Sequence, residues 1–379
     1  MRIAFYAPMK PPDHPAPSGD RRMARLLMAA LDAGGHSVEL ASRFRSYDGA
    51  GTAEQQRRLG VLGCRLAARL VRLYRSRPAR QRPQVWFTYH LYHKAPDWLG
   101  PPVADSLGIP YVVAEASHAP KQRHGPWAPG WEAAAKAISR ADLMLGLNAA
   151  DADCIRPLLG VRTSLVPLRP FLDAAPYVAA AKRRDSLRRA VSGRLAIECA
   201  QPRLLSVAMM RPGDKLTSYR LLGQALESLQ ERPWSLFVAG DGAARGAVQA
   251  ALAGLGDRVH WLGEQSTEAL VEYYAASDLF VWPAVNEAYG MALLEAQAAA
   301  LPVVAGRVGG VSDIVTDGTT GMLVKEGDAA AFAAAVAALL DDPERRRSLG
   351  VAARRRTARR HGLAMAARSI DAALRTITP

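Results

Sequence analysis

Short apolar runs alternate along the chain with segments in which apolar residues recur at helical spacing. The first run, Arg2 to Ala7, predicts a buried strand, and the segment after Gly19 predicts a helix ending at Gly34-Gly35. Five more strands are predicted in the first half, at His36–Leu40, Gln84–Tyr89, Tyr111–Glu115, Leu143–Leu147 and Thr163–Val166. Such an alternation is typical of a parallel sheet covered by helices.

A second alternation occupies the C-terminal half, after an Ala- and Arg-rich stretch that ends at Pro202. Its strands are predicted at Leu204–Ala208, Ser235–Ala239, Val259–Leu262, Leu279–Trp282, Pro302–Ala305 and Gly321–Val324. Because 379 residues exceed the usual size of one hydrophobic core, we predict an α/β chain with two Rossmann-like domains facing a central cleft. The predicted divisions are a domain at 1–170, a linker at 171–201, a domain at 202–345, and terminal helices at 346–379 that could cross back to the first domain.

The composition, with 49% hydrophobic and 22% charged residues, is that of a soluble globular protein. No apolar stretch approaches the roughly 18 residues that a membrane span needs, and the first residues lack the pattern of a signal peptide. We therefore expect the protein in the cytoplasm. Cys64, Cys154 and Cys199 are far apart and lack CxxC spacing, which favours neither a disulfide framework nor a cysteine metal site.

A formal charge of +14 indicates attraction to an anion: nucleotide phosphates, nucleic acid or an acidic membrane. Arginines concentrate at 57–82 and 345–360. In the first cluster they alternate with apolar residues at helical spacing. That helix could lie on the inner face of the cell membrane and present a lipid-linked acceptor, or it could be a surface helix with a solvated charged face. No nucleic-acid-binding motif accompanies the charge, so we expect no nucleic-acid partner.

The densest chemical signal is the segment from Asn286 to Ala296, which follows a predicted strand and Pro283. Glu287 would lie in the loop before a helix and Glu295 on its second turn, about 10–12 Å away at the helical rise per residue. A diphosphate could lie between them on the helix N-terminus, whose amides and dipole favour anions. The alternative is that Glu287 caps the helix and Glu295 is an exposed helix residue.

The stretch from Arg211 onward resembles the GT-B retaining glycosyltransferases of family 4, whose signature is E-x7-E. Glu287 and Glu295 have that spacing, and the resemblance covers most of residues 203–325. The resemblance continues in Ala239-Gly240-Asp241-Gly242, in Trp261-Leu262-Gly263, and in the glycine-rich segment from Gly309 to Gly321. The resemblance implies transfer of a sugar, with retention of configuration, from a nucleotide sugar to an acceptor hydroxyl. A UDP- or GDP-sugar is the implied donor, with a glycan or lipid-linked acceptor in cell-surface polysaccharide or glycolipid synthesis.

The resemblance also implies four catalytic residues. Arg211 and Lys215 would neutralise the leaving diphosphate, although the spacing between them is shorter than is usual in the family. Glu287 would contact the transferred sugar. His118 follows a first-domain strand where many members carry a histidine that donates to that sugar, and the alternative is a structural histidine.

Seven residues are expected to bind the donor by the same resemblance. Glu295 would hold the ribose, Gln265 would lie near the base, and the backbone after Glu287 would meet the phosphates or the sugar. Gly19, in a loop that resembles the family's first-domain glycine loop, would approach the phosphates or would only let the chain turn into a helix. The full set is Gly19, Gln265, Tyr289, Gly290, Met291, Ala292 and Glu295.

No metal and no cofactor is expected, because cations at the leaving group serve without a metal. Asp151 and Asp153 are spaced like a metal-binding pair but fall on a predicted helix, and His90 and His93 lack a third ligand. Two other functions remain open. One is a nonenzymatic nucleotide-sugar sensor or scaffold; the other is a different GT-B enzyme, such as a nucleotide-sugar epimerase.

Overall fold

The structure, a computed structural model, describes residues 1–16, 18–147, 149–287 and 290–378. The chain divides into two compact units. Unit 1 comprises residues 1–169 together with the segment that starts at Leu363, and unit 2 comprises Pro170–Gly362.

Unit 1 contains a six-stranded parallel sheet in the order β2-β1-β3-β4-β5-β6. Its strands are β1 (Arg2–Tyr6), β2 (Ser37–Ser42), β3 (Val85–Leu91), β4 (Tyr111–Ala116), β5 (Leu143–Gly146) and β6 (Ser164–Pro167). Its first helices are α1 (Gly19–Ala33), α2 (Ala53–Ser76), α3 (Gly100–Leu107), α4 (Ala128–Arg140) and α5 (Ala149–Ile155). The central strands are buried on both faces, which is why they form continuous apolar runs in the sequence.

Unit 2 repeats the architecture, with the strand order β12-β11-β10-β7-β8-β9 and parallel pairing throughout. Its strands are β7 (Arg203–Val207), β8 (Ser235–Ala239), β9 (Val259–Gly263), β10 (Leu279–Trp282), β11 (Val303–Gly306) and β12 (Gly321–Val324). Its helices are α6 (Ala175–Lys182), α7 (Arg184–Leu195), α8 (Asp214–Glu227), α9 (Arg245–Ala251), α10 (Thr267–Ala276), α11 (Met291–Ala298), α12 (Val311–Ile314), α13 (Ala329–Asp341) and α14 (Pro343–Arg360). The prediction of two Rossmann-like α/β units is confirmed.

The predicted linker at 171–201 is wrong. Most of these residues form α6 and α7, which pack against α10 as part of unit 2. Tyr177 and Val191 are fully buried there, and the ring of Tyr177 meets the ring of Tyr274 edge to face at 5.8 Å. The segment therefore contributes to the hydrophobic core of unit 2.

The terminal helices, predicted together at 346–379, separate between the units. Helix α14 packs against α11 in unit 2, whereas the last helix, α15 (Leu363–Arg375), packs against α1 in unit 1. The buried face of α15 includes Ile370 and Leu374. Within the described ranges, no helix is long and apolar enough to cross a membrane.

Candidate active site

The connection between β10 and α11 has an unusual backbone. Ala284 and Asn286 adopt positive φ angles of 58° and 47°, a region that non-glycine residues rarely occupy. Gly290 starts α11 with φ 64°, and an added Cβ atom would lie 2.8 Å from Cδ1 of Leu293. Such local strain collects at functional sites. The left-handed conformation therefore favours glycine at 290, and a side chain there would displace Leu293.

Glu287 follows this strained turn and meets Lys215 of α8. The two side chains form an ion pair, and Nε1 of Trp282 donates to Oε2 of Glu287 at 3.2 Å. The glutamate side chain is only 16% exposed. The helix cap is Gly290, without a side-chain hydrogen bond. The alternative that Glu287 caps α11 is therefore wrong.

Glu295 lies on the second turn of α11 and is 3% exposed. Its Oε2 accepts a hydrogen bond from the hydroxyl of Tyr274 at 2.9 Å. The alternative of an exposed helix residue is therefore wrong as well. Burying a carboxylate is costly unless it is hydrogen-bonded, so Glu295 is held by partners rather than left as a surface charge.

The two expected cations have different environments. Lys215 lies in the first turn of α8 and is engaged by Glu287, with Nζ also 5.4 Å from the centre of the Trp282 ring. Arg211 lies in the exposed loop between β7 and α8. Among the described residues, its side chain has no hydrogen bond or ion pair. The structure thus brings Lys215 to Glu287 and leaves the Arg211 guanidinium available to a ligand.

The other expected donor residues in unit 2 also follow its strands. Met291 and Ala292 begin α11, where the amides of the first turn have no acceptor within the helix. The Gln265 side chain, just after β9, donates to the carbonyl of Leu262. Tyr289 lies outside the described residues. Because ligands of parallel sheets bind at the carboxyl ends of the strands, these positions share the edge where a ligand is expected.

In unit 1, Gly19 is the first residue of α1, after the N-cap residue Ser18. An added Cβ atom at Gly19 would meet nothing within 4 Å, and the φ angle is not in the positive region. Neither space nor backbone conformation within the described residues therefore requires glycine here, which argues against the explanation that it only lets the chain turn.

His118, which follows β4, is 8% exposed, and its ring lies 4.7 Å from the ring of Trp131. Burial lowers the pKa of His118, so the imidazole is neutral at pH 7. Three buried ring nitrogens in this region lack a hydrogen-bond partner among the described residues: Nε2 of His118, Nδ1 of His93 and Nε1 of Trp131. Unpaired buried polar atoms cost about 1–3 kcal/mol each, so this region is suited to a polar ligand or water.

An ion pair that the sequence did not predict joins Asp20, beside Gly19, to His90 on β3. His90 Nδ1 lies 2.8 Å from Oδ1 of Asp20. Burial lowers the pKa of His90, but the bond to Asp20 and the charge of Glu115 outweigh it, so its pKa is raised. Burial raises the pKa of Asp20, yet His90 reverses this and holds it below its usual value.

In the part of the chain that is described, no three His, Cys, Asp or Glu side chains are grouped as potential metal ligands. His90 is engaged by Asp20. Asp151 and Asp153 lie on α5, as predicted.

Sequence reasoning missed two aromatic partners of the glutamates. Trp282 ends the predicted strand directly before the motif, so its position was a usable signal. Tyr274 lies on α10, and nothing in the local sequence connects it to Glu295.

Comparison with known proteins bears on the identity of the chain. Residues 205–356 match the family described as glycosyl transferases group 1. D-inositol 3-phosphate glycosyltransferase of Nocardia farcinica is 32% identical over 229 residues, which cover 57% of this chain and 49% of that protein. The chain thus spans about half the length of this relative.

Two solved structures share the fold over nearly their full length. Sucrose-phosphate synthase from Thermosynechococcus elongatus aligns over 99% of this chain and 98% of its own, with a TM-score of 0.70 and 20% identity. Anabaena HepE in complex with UDP aligns over 99% of this chain and 100% of its own, with a TM-score of 0.71 and 16% identity. The chain therefore has the GT-B fold, and its residues 205–356 are similar to the glycosyl transferases group 1.

Proposed function

We propose that the protein is a retaining glycosyltransferase that moves a sugar from a nucleotide-sugar donor to an acceptor hydroxyl, without a metal or a cofactor. One observation carries the proposal: the ion pair between Lys215 and Glu287 at the strained turn that starts α11. It places a cation and a carboxylate beside the free amides of a helix N-terminus. This combination of groups suits a diphosphate-linked sugar, because the cation and the amides favour the phosphates and the carboxylate can accept from a sugar hydroxyl.

In the proposed donor complex, the diphosphate contacts the amides of Met291 and Ala292, where the helix dipole favours negative charge. Lys215 has three N–H donors, so it can keep its ion pair with Glu287 and still donate to a phosphate oxygen. Arg211 supplies a second positive charge as the diphosphate leaves. Glu295 accepts from the ribose hydroxyls, Glu287 accepts from the transferred sugar, and Gln265 lies near the base.

UDP-sugars are favoured over GDP-sugars as donors. Similar structures of Anabaena HepE are described as complexes with UDP, with UDP and glucose, and with UDP-glucose. Those ligands belong to that protein, and they support a uridine nucleotide as the first donor to test here.

In unit 1, we assign Gly19 to close approach of a ligand to the backbone, since nothing in the described structure requires glycine there. We assign His118 to donating a hydrogen bond to a sugar. Its buried Nε2 lacks a partner among the described residues, and a neutral imidazole can carry a proton there. The unpaired nitrogens of His93 and Trp131 nearby support a polar ligand in the same region.

We further propose a glycan or lipid-linked acceptor of cell-surface polysaccharide or glycolipid synthesis, used in the cytoplasm at the inner membrane face. Helix α2 supports peripheral membrane contact, because large apolar side chains on it are exposed among arginines. The exposed residues are Val61, Leu62 and Leu73, with Arg57, Arg58, Arg65, Arg69 and Arg72. A helix of this kind can lie on an anionic membrane.

The first test is a thermal-shift screen against UDP, GDP, ADP and TDP and their sugars in the presence of EDTA, since a bound ligand raises apparent stability. We expect UDP-sugars to raise the unfolding temperature. Donor turnover with and without acceptors then distinguishes the functions. A transferase needs the acceptor, an epimerase converts the donor alone, and a sensor or scaffold binds without turnover. The absence of any shift would contradict the donor site.

A variant tests the role of the cations. Arg211→Ala should lower kcat by roughly 10- to 100-fold, because charge on the leaving diphosphate loses a stabilising cation. Arg220→Ala removes an exposed arginine from α8 and is the matched control. Equal rates for the two variants would exclude Arg211 from catalysis.

A further inference from the structure

Unit 2 has a cavity at the edge of the sheet opposite the candidate donor site. Asp278 and Pro302 in its wall directly precede β10 and β11, whereas Glu287 follows β10. The cavity volume is about 400 Å³, within the range of small-molecule sites. Its charged lining consists of Arg184, Arg188, Asp185, Asp278, Arg346, Arg347 and Arg354.

The lining carries more positive than negative charge. Five arginines face two aspartates, which leaves a formal charge of +3. Asp278 forms ion pairs with two of these arginines: Oδ1 lies 2.7 Å from Nη2 of Arg184, and Oδ2 lies 2.7 Å from Nη1 of Arg188. No carboxylate among the described residues pairs with Arg346, Arg347 or Arg354, the three arginines of α14 that line the cavity.

Three of the arginines have a structural role. Arg184 and Arg188 donate to the carbonyls of Ala275 and Ala276 at the end of α10, at 2.8 Å and 3.1 Å. Arg346 similarly donates to the last carbonyls of α13, including that of Leu340 at 3.2 Å. These bonds hold three guanidinium groups at the cavity wall. Arg188 also donates to the carbonyls of Cys199 and Gln201, each at 2.7 Å, so most of its N–H groups are used. Arg346 donates only through Nη1, so most of its five N–H groups remain available.

The remaining two have no such role. The side chains of Arg347 and Arg354 form no hydrogen bond or ion pair with any described residue. They line the cavity from α14, where Arg347 is exposed and Arg354 is half-buried.

The positive charges are close enough to affect one another. Burial lowers the pKa of Arg184; Asp278 opposes the change, and Arg188 and Arg346 lower the pKa further. Burial, followed by the charge of Arg188, lowers the pKa of neighbouring Arg203 to about 10. Repulsion among like charges destabilises the empty arrangement, and a bound anion would offset it.

We propose that this cavity binds a compact anion carrying two or more phosphate groups. Guanidinium groups bind phosphate oxygens in a bidentate manner, and clusters of them are the usual protein site for such anions. The apolar wall formed by Ala299 and Leu301 excludes water on one side of the ligand. The site is separate from the donor site, so the proposal does not rest on the transferase function.

The experiment is isothermal titration of the full chain with inorganic tripolyphosphate. Every protein compared carries Arg211→Gln and Lys215→Gln as a common background, because these substitutions remove tripolyphosphate binding at the donor site. Within that background, Arg347→Gln/Arg354→Gln should weaken binding at least tenfold. The matched control, Arg359→Gln/Arg360→Gln, removes the same charge from positions of the same helix that do not line the cavity, and its affinity should stay within twofold of the background protein.

Absence of tripolyphosphate binding to the background protein, or equal loss in both double variants, would overturn the proposal. Unchanged unfolding temperatures of the variants would show that the loss is not misfolding. The phosphate could instead belong to a lipid headgroup, so sedimentation with phosphatidylglycerol vesicles is the second arm. Vesicle binding that depends on Arg347 and Arg354, without tripolyphosphate binding, would replace the compact anion by a membrane surface.

Discussion

At the residue scale, the two glutamates of the E-x7-E pattern are held in different ways. Glu287 is paired with a lysine and accepts from an indole, so its charge is balanced within unit 2. Glu295 is more deeply buried and accepts from the Tyr274 hydroxyl. Replacement of Glu287 leaves Lys215 without its carboxylate, whereas replacement of Glu295 leaves a buried hydroxyl without one of its bonds.

We predict that Glu295→Ala weakens nucleotide-sugar binding by at least roughly tenfold, because a carboxylate that accepts from the ribose hydroxyls is lost. The loss of the Tyr274 bond should also destabilise unit 2 by about 1–3 kcal/mol. Donor affinity by titration and stability by urea unfolding measure the two effects.

Tyr274→Phe separates these effects, because it removes the same hydrogen bond and keeps the carboxylate. It should lower stability and leave donor affinity nearly unchanged. If Tyr274→Phe weakens donor binding as much as Glu295→Ala does, the direct ribose contact is wrong.

At the scale of single elements, the connection between β10 and α11 determines where the candidate site lies. Two non-glycine residues in this connection, Ala284 and Asn286, have positive φ angles, and hydrogen bonds to α8 hold the connection in place. The amide of Val285 donates to Oγ of Ser218 on α8 at 3.0 Å, and Nδ2 of Asn286 donates to Oδ2 of Asp214 at 3.0 Å. Helix α8 thus fixes both the turn and the lysine that pairs with Glu287.

We predict that Gly290→Ala destabilises unit 2 by about 1–3 kcal/mol, because its φ of 64° disfavours a side chain and the new Cβ meets Leu293. Nucleotide-sugar affinity should fall as well, since the start of α11 must shift. Chemical unfolding and donor titration measure these changes.

The matched control is Gly193→Ala within α7, where an added Cβ meets nothing within 4 Å. Alanine there should stabilise the protein by about 0.5–1 kcal/mol. If both variants changed stability in the same direction, the strain at Gly290 would not be the cause.

At the scale of the whole molecule, the chain builds unit 1, then unit 2, and returns to unit 1 with its last helix. Helix α15 covers α1, and Ile370 is fully buried on its inner face. Unit 1 therefore depends on residues from both ends of the described chain.

We predict that Ile370→Ala costs about 2–5 kcal/mol of stability, because it leaves a cavity in a packed core. Hydrogen exchange should accelerate in α1 and α15, while the central strands of unit 2 keep their protection. Arg368→Ala, at an exposed position of α15, should change neither the stability nor the hydrogen-exchange rates. Equal acceleration in β7 and β10 of unit 2 would contradict this assignment of α15.

The sequence by itself determined the α/β class, the two units, most strand positions and the segment around the E-x7-E pattern. Strands buried on both faces must be continuous apolar runs, and the glycine-rich turns between strands and helices have local causes. The burial of Glu295 and the packing of α6 and α7 could not be predicted in this way, since they depend on Tyr274 and on α10 as partners.

Only the tertiary structure decided which charges meet. Lys215 reaches Glu287 because β7 pairs with β10, which brings α8 beside the turn that follows β10. Asp20 reaches His90 because β1 pairs with β3. Five arginines from α7 and α14 line one cavity because Asp278, directly before β10, pairs with the arginines of α7, and α14 packs against α11. Each meeting depends on strand order, which hydrophobic periodicity does not specify.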